Sequence, residues 1–192
     1  MINYLYYFIR KLRSAMAKLK FISSTLFCYF NAIGNPAISI ESKCLFGQNV
    51  SLRATDGGSI SLGHGVSLAG GVQIVAEGGR VVVGDGVFVG LGSIVVSRSF
   101  IEIGSRTLIA EYVVIRDQDH RTDSIPLGIS GFFSNPIRIG SDTWIGCKAS
   151  ILRGASVGDR CVIGAHALVK SKIPDGMIAV GIPARVTGRV RQ

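Results

Sequence analysis

A period of six, kept over most of the chain, is the feature that leaves the fold least freedom. Ile139, Ile145, Ile151, Val157, Ile163 and Val169 put an aliphatic residue at every sixth position, most often followed by glycine. Thr143, Ala149, Ala155, Cys161 and Ala167 each stand four residues after an aliphatic, and all are small or slender. The same spacing runs through Leu62, Leu68 and Ile74, through Val83, Val89 and Val95, and through Ile103, Ile109 and Ile115. An α-helix repeats its buried positions about every 3.6 residues and a half-buried strand every two, so neither accounts for six. Three hexads make one turn of a three-sided coil. The aliphatic of each hexad points into the prism and stacks on its counterpart one coil away, while the small residues let the chain round the corner. The pattern predicts an all-β, parallel β-helix of about six coils, with Ile40, Phe46 and Leu52 in the first.

The register slips at Ala76-Glu77-Gly78-Gly79-Arg80 and at Ser97-Arg98-Ser99-Phe100, which read as small corner insertions. One interruption is far longer: the hexads stop at Arg116 and resume at Ile137. A long excursion from a rigid coil marks a functional loop, because a loop on a fixed scaffold can hold reactive groups without disturbing the core. That loop, 116–136, carries Arg116-Asp117-Gln118-Asp119-His120-Arg121. A histidine side chain has an ordinary pKa of about 6.5 and is largely neutral at pH 7, so it can accept a proton from a hydroxyl. His120 is therefore the candidate general base. Asp117 or Asp119 is the candidate to orient its ring, and the spacing does not choose between them.

Ahead of the coils the composition changes. Arg10, Lys11, Arg13, Lys18 and Lys20 precede the first acidic residue, Glu41, and supply more than half of the net charge of +9. Leu5, Phe8, Ile9, Leu12, Met16 and Leu19 recur at helical spacing, so residues 2 to about 20 are expected to form a basic amphipathic helix. Its apolar face calls for a partner: the flank of the β-helix, a neighbouring subunit or a membrane surface. The stretch from Phe21 to Ile40 holds Gly34, Pro36 and several Ser and Asn, which disfavours a spanning helix. No secretory signal is recognised, and the expected location is cytoplasmic or peripheral at the inner membrane face. Three segments follow: a helical extension (1–35), the β-helix (36–181) and a C-terminal tail (182–192). Cys28, Cys44, Cys147 and Cys161 lack the paired spacing of a zinc or redox site and are expected to be buried thiols. The basic balance also suits a nucleic-acid binder, but no reading helix or aromatic-basic platform appears.

Together Arg116 to His120, Thr143-Trp144-Ile145-Gly146 and Val180-Gly181-Ile182-Pro183-Ala184-Arg185-Val186 resemble the hexapeptide-repeat acyltransferase superfamily, above all its sugar and xenobiotic O-acetyltransferases. The resemblance covers roughly residues 38 to 187. It implies a left-handed β-helix, acetyl-CoA as co-substrate with no metal, and a homotrimer with active sites between adjacent prisms. In that family the catalytic histidine sits where a coil opens into an extended loop, which His120 matches. The likeness implies that outward-facing Trp144 lines the acceptor cleft, with Gly146, Ala165, Pro183 and Arg185 towards CoA. Lys170-Ser171-Lys172 departs from the family's usual Thr-Lys-Asp, leaving Lys170 and Lys172 as alternatives for the CoA phosphate. His166 stands where a smaller residue is usual and is expected to point to solvent.

Alternative functions fit less well. A zinc-dependent carbonic anhydrase on the same coil needs three converging histidines, and His64, His120 and His166 are too far apart. Serine O-acetyltransferases carry a substantial helical domain before their coils, and a bare β-helix scaffold needs neither His120 nor the long loop. The expected acceptor is a hydroxyl of a cell-envelope glycan such as capsule or lipopolysaccharide. Arg116, Arg121 and Arg153 near the base argue for an acidic one.

Overall fold

The computed structural model describes residues 16, 18–20, 22–28, 32, 34–123, 125, 129 and 131–191. The chain winds six full coils of three strands. The first four are β1 (Ile38–Ile40), β2 (Leu45–Phe46) and β3 (Ser51–Thr55); β4 (Ser59–Leu62), β5 (Ser67–Leu68) and β6 (Gln73–Glu77); β7 (Arg80–Val83), β8 (Phe88–Val89) and β9 (Ile94–Ser97); and β10 (Phe100–Ile103), β11 (Leu108–Ile109) and β12 (Val114–Arg116). A hairpin, β13 (Gln118–His120) and β14 (Phe132–Ser134), then leaves the coil. Winding resumes with β15 (Ile137–Ile139), β16 (Trp144–Ile145) and β17 (Ser150–Leu152), and then β18 (Ser156–Val157), β19 (Val162–Ile163) and β20 (Leu168–Val169). β21 (Lys172–Ile173) and β22 (Met177–Val180) begin a seventh coil, and β23 (Arg185–Arg189) folds back on it. First, second and third strands of successive coils stack into three parallel sheets, the walls of a left-handed parallel β-helix.

The hexad aliphatics form the core in three columns. Ile40, Leu62, Val83, Ile103, Ile139, Val157 and Ile173 stand in register on the first wall. Phe46, Leu68, Val89, Ile109, Ile145, Ile163 and Ala179 do so on the second. The third holds Leu52, Ile74, Val95, Ile115, Ile151 and Val169. All are buried except Ile40 and Leu52 at the open first coil, which are partly buried against the same core. Each buried aliphatic is worth about 1.5–3 kcal/mol of transfer free energy. β-Branched Ile and Val suit the extended backbone besides.

The glycine after the aliphatic has a different cause. A Cβ on Gly140 would lie 2.5 Å from the Asp159 backbone nitrogen, and one on Gly146 2.5 Å from that of Ala165. These glycines let successive coils close to hydrogen-bonding distance. At the corners, slender Thr143 both fills space and satisfies backbone: its hydroxyl donates to Gly158 O (2.9 Å) and accepts from Cys161 N–H (3.1 Å).

Both ends of the prism are capped, as the exposed edges of stacked coils require. At the first coil Thr25 seats its hydroxyl on β2, where Phe46 N–H donates to Thr25 Oγ1 (3.0 Å), and Cys28 joins the core beside Ile38. This packing corrects the expected helix limit near residue 20: positions 16, 18–20, 22–28 and 32 are helical, because Thr25 and Cys28 dock on the open end. Residues 2–15 and 17 of the expected helix lie outside the described residues. At the other end, 182–192 is no mere tail, since β23 pairs antiparallel with β22 and covers the last edge of the second sheet. Burial pushes the Cys28 and Cys161 thiols up in pKa; Cys44 is buried too, but Cys147 is half-buried, contrary to expectation.

Candidate active site

The long interruption sits at the corner between the third wall and the first, after β12 and before β15. Asp117 forms its root. The side chain is fully buried and accepts three hydrogen bonds from the preceding coil: from Ser97 Oγ (2.7 Å), Arg98 N–H (2.8 Å) and Ser99 N–H (2.9 Å). Those donors come from the register slip at Ser97-Arg98-Ser99. The Gln118 amide nitrogen, in the orientation that satisfies it, adds a fourth bond to Asp117 Oδ1 (2.7 Å) and another to Val96 O. Asn135 N–H donates to Asp117 O (3.0 Å), closing the base of the excursion.

Beyond that root, β13 and β14 pair antiparallel, with His120 opposite Phe132 and Asp119 opposite Phe133. Alternation along each strand gives the hairpin two faces. On one, the His120 ring lies 4.4 Å from that of Phe132, and the Arg98 guanidinium covers Phe132 at 3.9 Å while ion-paired with Glu77 (2.6 Å). On the other, Phe133 lies between Arg121 (4.8 Å) and Arg153 (5.9 Å). Arg153 is paired with Asp119 (2.7 Å) and Arg121 with Asp123. That pairing holds the Asp123 carboxyl below the usual carboxylate range and raises the Arg121 guanidinium.

His120 is exposed, and among the described residues its ring packs on Phe132 while no carboxylate meets it. The two aspartates proposed to orient it are engaged elsewhere in this chain, Asp117 as the buried root and Asp119 with Arg153. The side chains that do steady the His120 strand are Phe132 and Arg98, which sequence reasoning did not pick out. The adjacent phenylalanines Phe132 and Phe133, just before the chain returns to the coil, were the available signal. Arg116 is exposed at the end of β12. The ion pairs of Arg121 and Arg153 offset their charge, leaving one net positive charge among Arg116, Asp119, Arg121, Asp123 and Arg153.

The remaining candidates divide by edge. Lys170 and Lys172 flank the same corner as the hairpin, further along the prism, and both are exposed. Trp144 is on the second wall, 53% exposed. Gly146, Ala165 and Pro183 gather at the corner between the second and third walls. There Gly146 packs under the Ala165 backbone, His166 N–H donates to Cys147 O (2.9 Å), and Ala184 N–H donates to Leu168 O (2.8 Å). His166 is exposed at a left-handed corner position (φ 58°), pointing to solvent as expected. Arg185 is exposed at the start of β23. One prism therefore carries the histidine at one edge and the second group at another. Among the described residues no His, Cys, Asp or Glu cluster able to hold a metal ion occurs.

The coil and its extruded hairpin define a hexapeptide-repeat β-helix. Residues 136–171 match the family model for bacterial transferase hexapeptide repeats, and residues 37–76 that for the hexapeptide repeat of succinyl-transferase. The chain is 30% identical over 139 residues to the putative lipopolysaccharide biosynthesis O-acetyl transferase WbbJ of Escherichia coli, covering 67% of this chain and 71% of that protein. It is 40% identical over 157 residues to a probable acetyltransferase of Mycobacterium tuberculosis, covering 80% of this chain but only 52% of that relative's length. An N-acyltransferase from Bacillus cereus, solved with a dTDP-amino-dideoxyglucose and coenzyme A, shares the fold with a TM-score of 0.68 at 16% identity, over 94% of this chain and 90% of that one. The chain belongs to the hexapeptide-repeat acyltransferase superfamily, in its sugar O-acetyltransferase branch.

Proposed function

We propose that the chain transfers an acetyl group from acetyl-CoA to a sugar hydroxyl of a cell-envelope polysaccharide, with His120 as general base. The observation that carries this reading is His120 itself: exposed, held by a hairpin rooted in the core, with no carboxylate on its ring among the described residues. One imidazole nitrogen takes the acceptor hydroxyl proton as the oxygen attacks the thioester carbonyl. Backbone N–H groups are the donors available for the tetrahedral oxyanion. Collapse breaks the C–S bond, and the imidazolium returns its proton to the departing thiolate. WbbJ supports the reaction class, and the fold is shared with the neighbour solved with coenzyme A.

The division of candidates between two edges supports sites shared by adjacent protomers of a homotrimer, in which one chain supplies His120 and another Ala165, Pro183 and Arg185. The second wall supports the same assembly. Phe88, Leu108 and Trp144 project outward from adjacent positions in its strands, with Leu45 beyond the intervening Ser67, and all four apolar residues are exposed in the single chain. Such an apolar column is what a subunit interface covers. Ala165 and Arg185 fit CoA as an open backbone approach and a phosphate-matching fork, with Lys170 or Lys172 a further cation. Gly146 lets its coil close on the Ala165 backbone and stays a candidate on the CoA side beside it. The single net charge at the hairpin weakens the ground for an acidic acceptor, which rests on Arg116.

Thiol release from acetyl-CoA, followed with capsular or lipopolysaccharide glycan, a neutral hexose and serine in parallel, tests the reading. Glycan-dependent release by a species of trimer mass is expected. Serine as the preferred acceptor, or full activity from a monomer, contradicts it.

A further inference from the structure

The helix that caps the first coil buries only one side. At about 100° per residue, Thr25 and Cys28 face the prism, while Met16, Leu19, Ile22 and Leu26 fall in one arc of roughly 120° on the opposite side. These four are 53–69% exposed, and only Ser23 interrupts the arc. Lys18 and Lys20, both exposed, stand at its two margins. The neighbouring sequence has the same sign: Arg10, Lys11 and Arg13 add to them, and no acidic residue occurs before Glu41.

We propose that this helix face is a docking surface for an anionic lipid bilayer, on which the capped end of the prism lies flat. Charge decides the occupant. An apolar stripe bounded on both flanks by lysines matches the depth profile of a bilayer surface: the stripe enters the acyl boundary, and the ammonium groups reach the anionic headgroups along their own stems. A subunit interface has no comparable use for an uncompensated row of cations, and an exposed stripe of this size in water calls for cover. The proposed contact lies on the bilayer surface; no helix among the described residues is long and apolar enough to cross a membrane. Each of the two lysines near an anionic surface improves partition about fivefold, an effect that salt screens.

The test uses the full chain and vesicles, and reads partition, so it stands apart from the acetyl-transfer reading. Co-sedimentation is measured with phosphatidylcholine vesicles and with vesicles containing phosphatidylglycerol, at low and physiological salt. The wild-type chain is expected to sediment with the anionic vesicles only. Lys18→Gln with Lys20→Gln should lose about 25-fold in partition, and Leu19→Asp with Leu26→Asp should abolish it. All four positions are exposed, so melting temperature and mass should hold in both variants. Equal partition to neutral and anionic vesicles overturns the proposal, as does wild-type partition by either variant. A changed oligomeric mass in the aspartate variant also overturns it, by assigning the stripe to a second copy of the chain.

Discussion

Replacing Asp117 by alanine separates two roles for a carboxylate three residues before the proposed general base, His120. In the structure its oxygens accept from Ser97 Oγ, Arg98 N–H and Ser99 N–H at 2.7–2.9 Å, with Asp117 and Ser97 fully buried and Arg98 and Ser99 half-buried. Ser97 Oγ has a second acceptor in Arg80 O (3.2 Å) and keeps a partner. The two backbone N–H groups do not, and each buried donor left unsatisfied costs about 1–3 kcal/mol. The expected loss is therefore about 2–6 kcal/mol, which for a chain of this length lowers the melting temperature by roughly 2–4 °C per kcal/mol. Asp117→Asn, which preserves shape but turns one acceptor into a donor facing an N–H, should fall between. Because the root of the hairpin is lost, turnover should fall along with stability. Urea titration and thermal melting, beside turnover at saturating substrates, measure both. A variant that melts as wild type while losing a hundredfold or more in turnover would refute the structural role and restore Asp117 as the orienting carboxylate.

The other expectations are narrower. Gly146→Val should destabilise by about 1–3 kcal/mol through overpacking against the Ala165 backbone, whereas Gly188→Ala, where a Cβ meets nothing within 4 Å, should leave the melting temperature unchanged. Phe132→Ala should lower turnover roughly 10–100-fold by loosening His120, the scale of a small misplacement of a reacting group, with Phe132→Tyr restoring it; steady-state kinetics with both variants decide this. Arg121→Ala should let the Asp123 carboxyl titrate closer to its ordinary range. Because Arg121 holds that pKa low, the pair contributes at neutral pH and its contribution is lost as pH falls through the lowered value. The difference in melting temperature between the two proteins should therefore vanish at acid pH.

How far the sequence carried these conclusions depended on whether a feature was periodic. Every aliphatic read from the hexads stands in one of the three columns, because stacking identical coils makes each position's environment the same. The excursion after Arg116 was visible as a break in that period. Its internal pairing was not, since a hairpin off the coil sets its own register and nothing in the hexads puts Phe132 opposite His120. Beside a histidine Asp117 reads as an acid–base partner, while its burial depends on donors from the previous coil, about twenty residues earlier, which the local sequence does not display. The ends departed from expectation because they answer to the open edges of the prism. Thr25 fixes where the helix docks, and β23 turns an expected tail into the last strand of a sheet.

The central claim is that His120, carried on the hairpin, removes the acceptor proton. Its most direct measurement is turnover of His120→Ala with acetyl-CoA and the preferred glycan, both saturating, in protein shown to melt and to bind CoA as wild type does. The account predicts a fall of roughly 10²–10⁴ in kcat, the usual range for a lost general base. Wild-type turnover in that variant would contradict it.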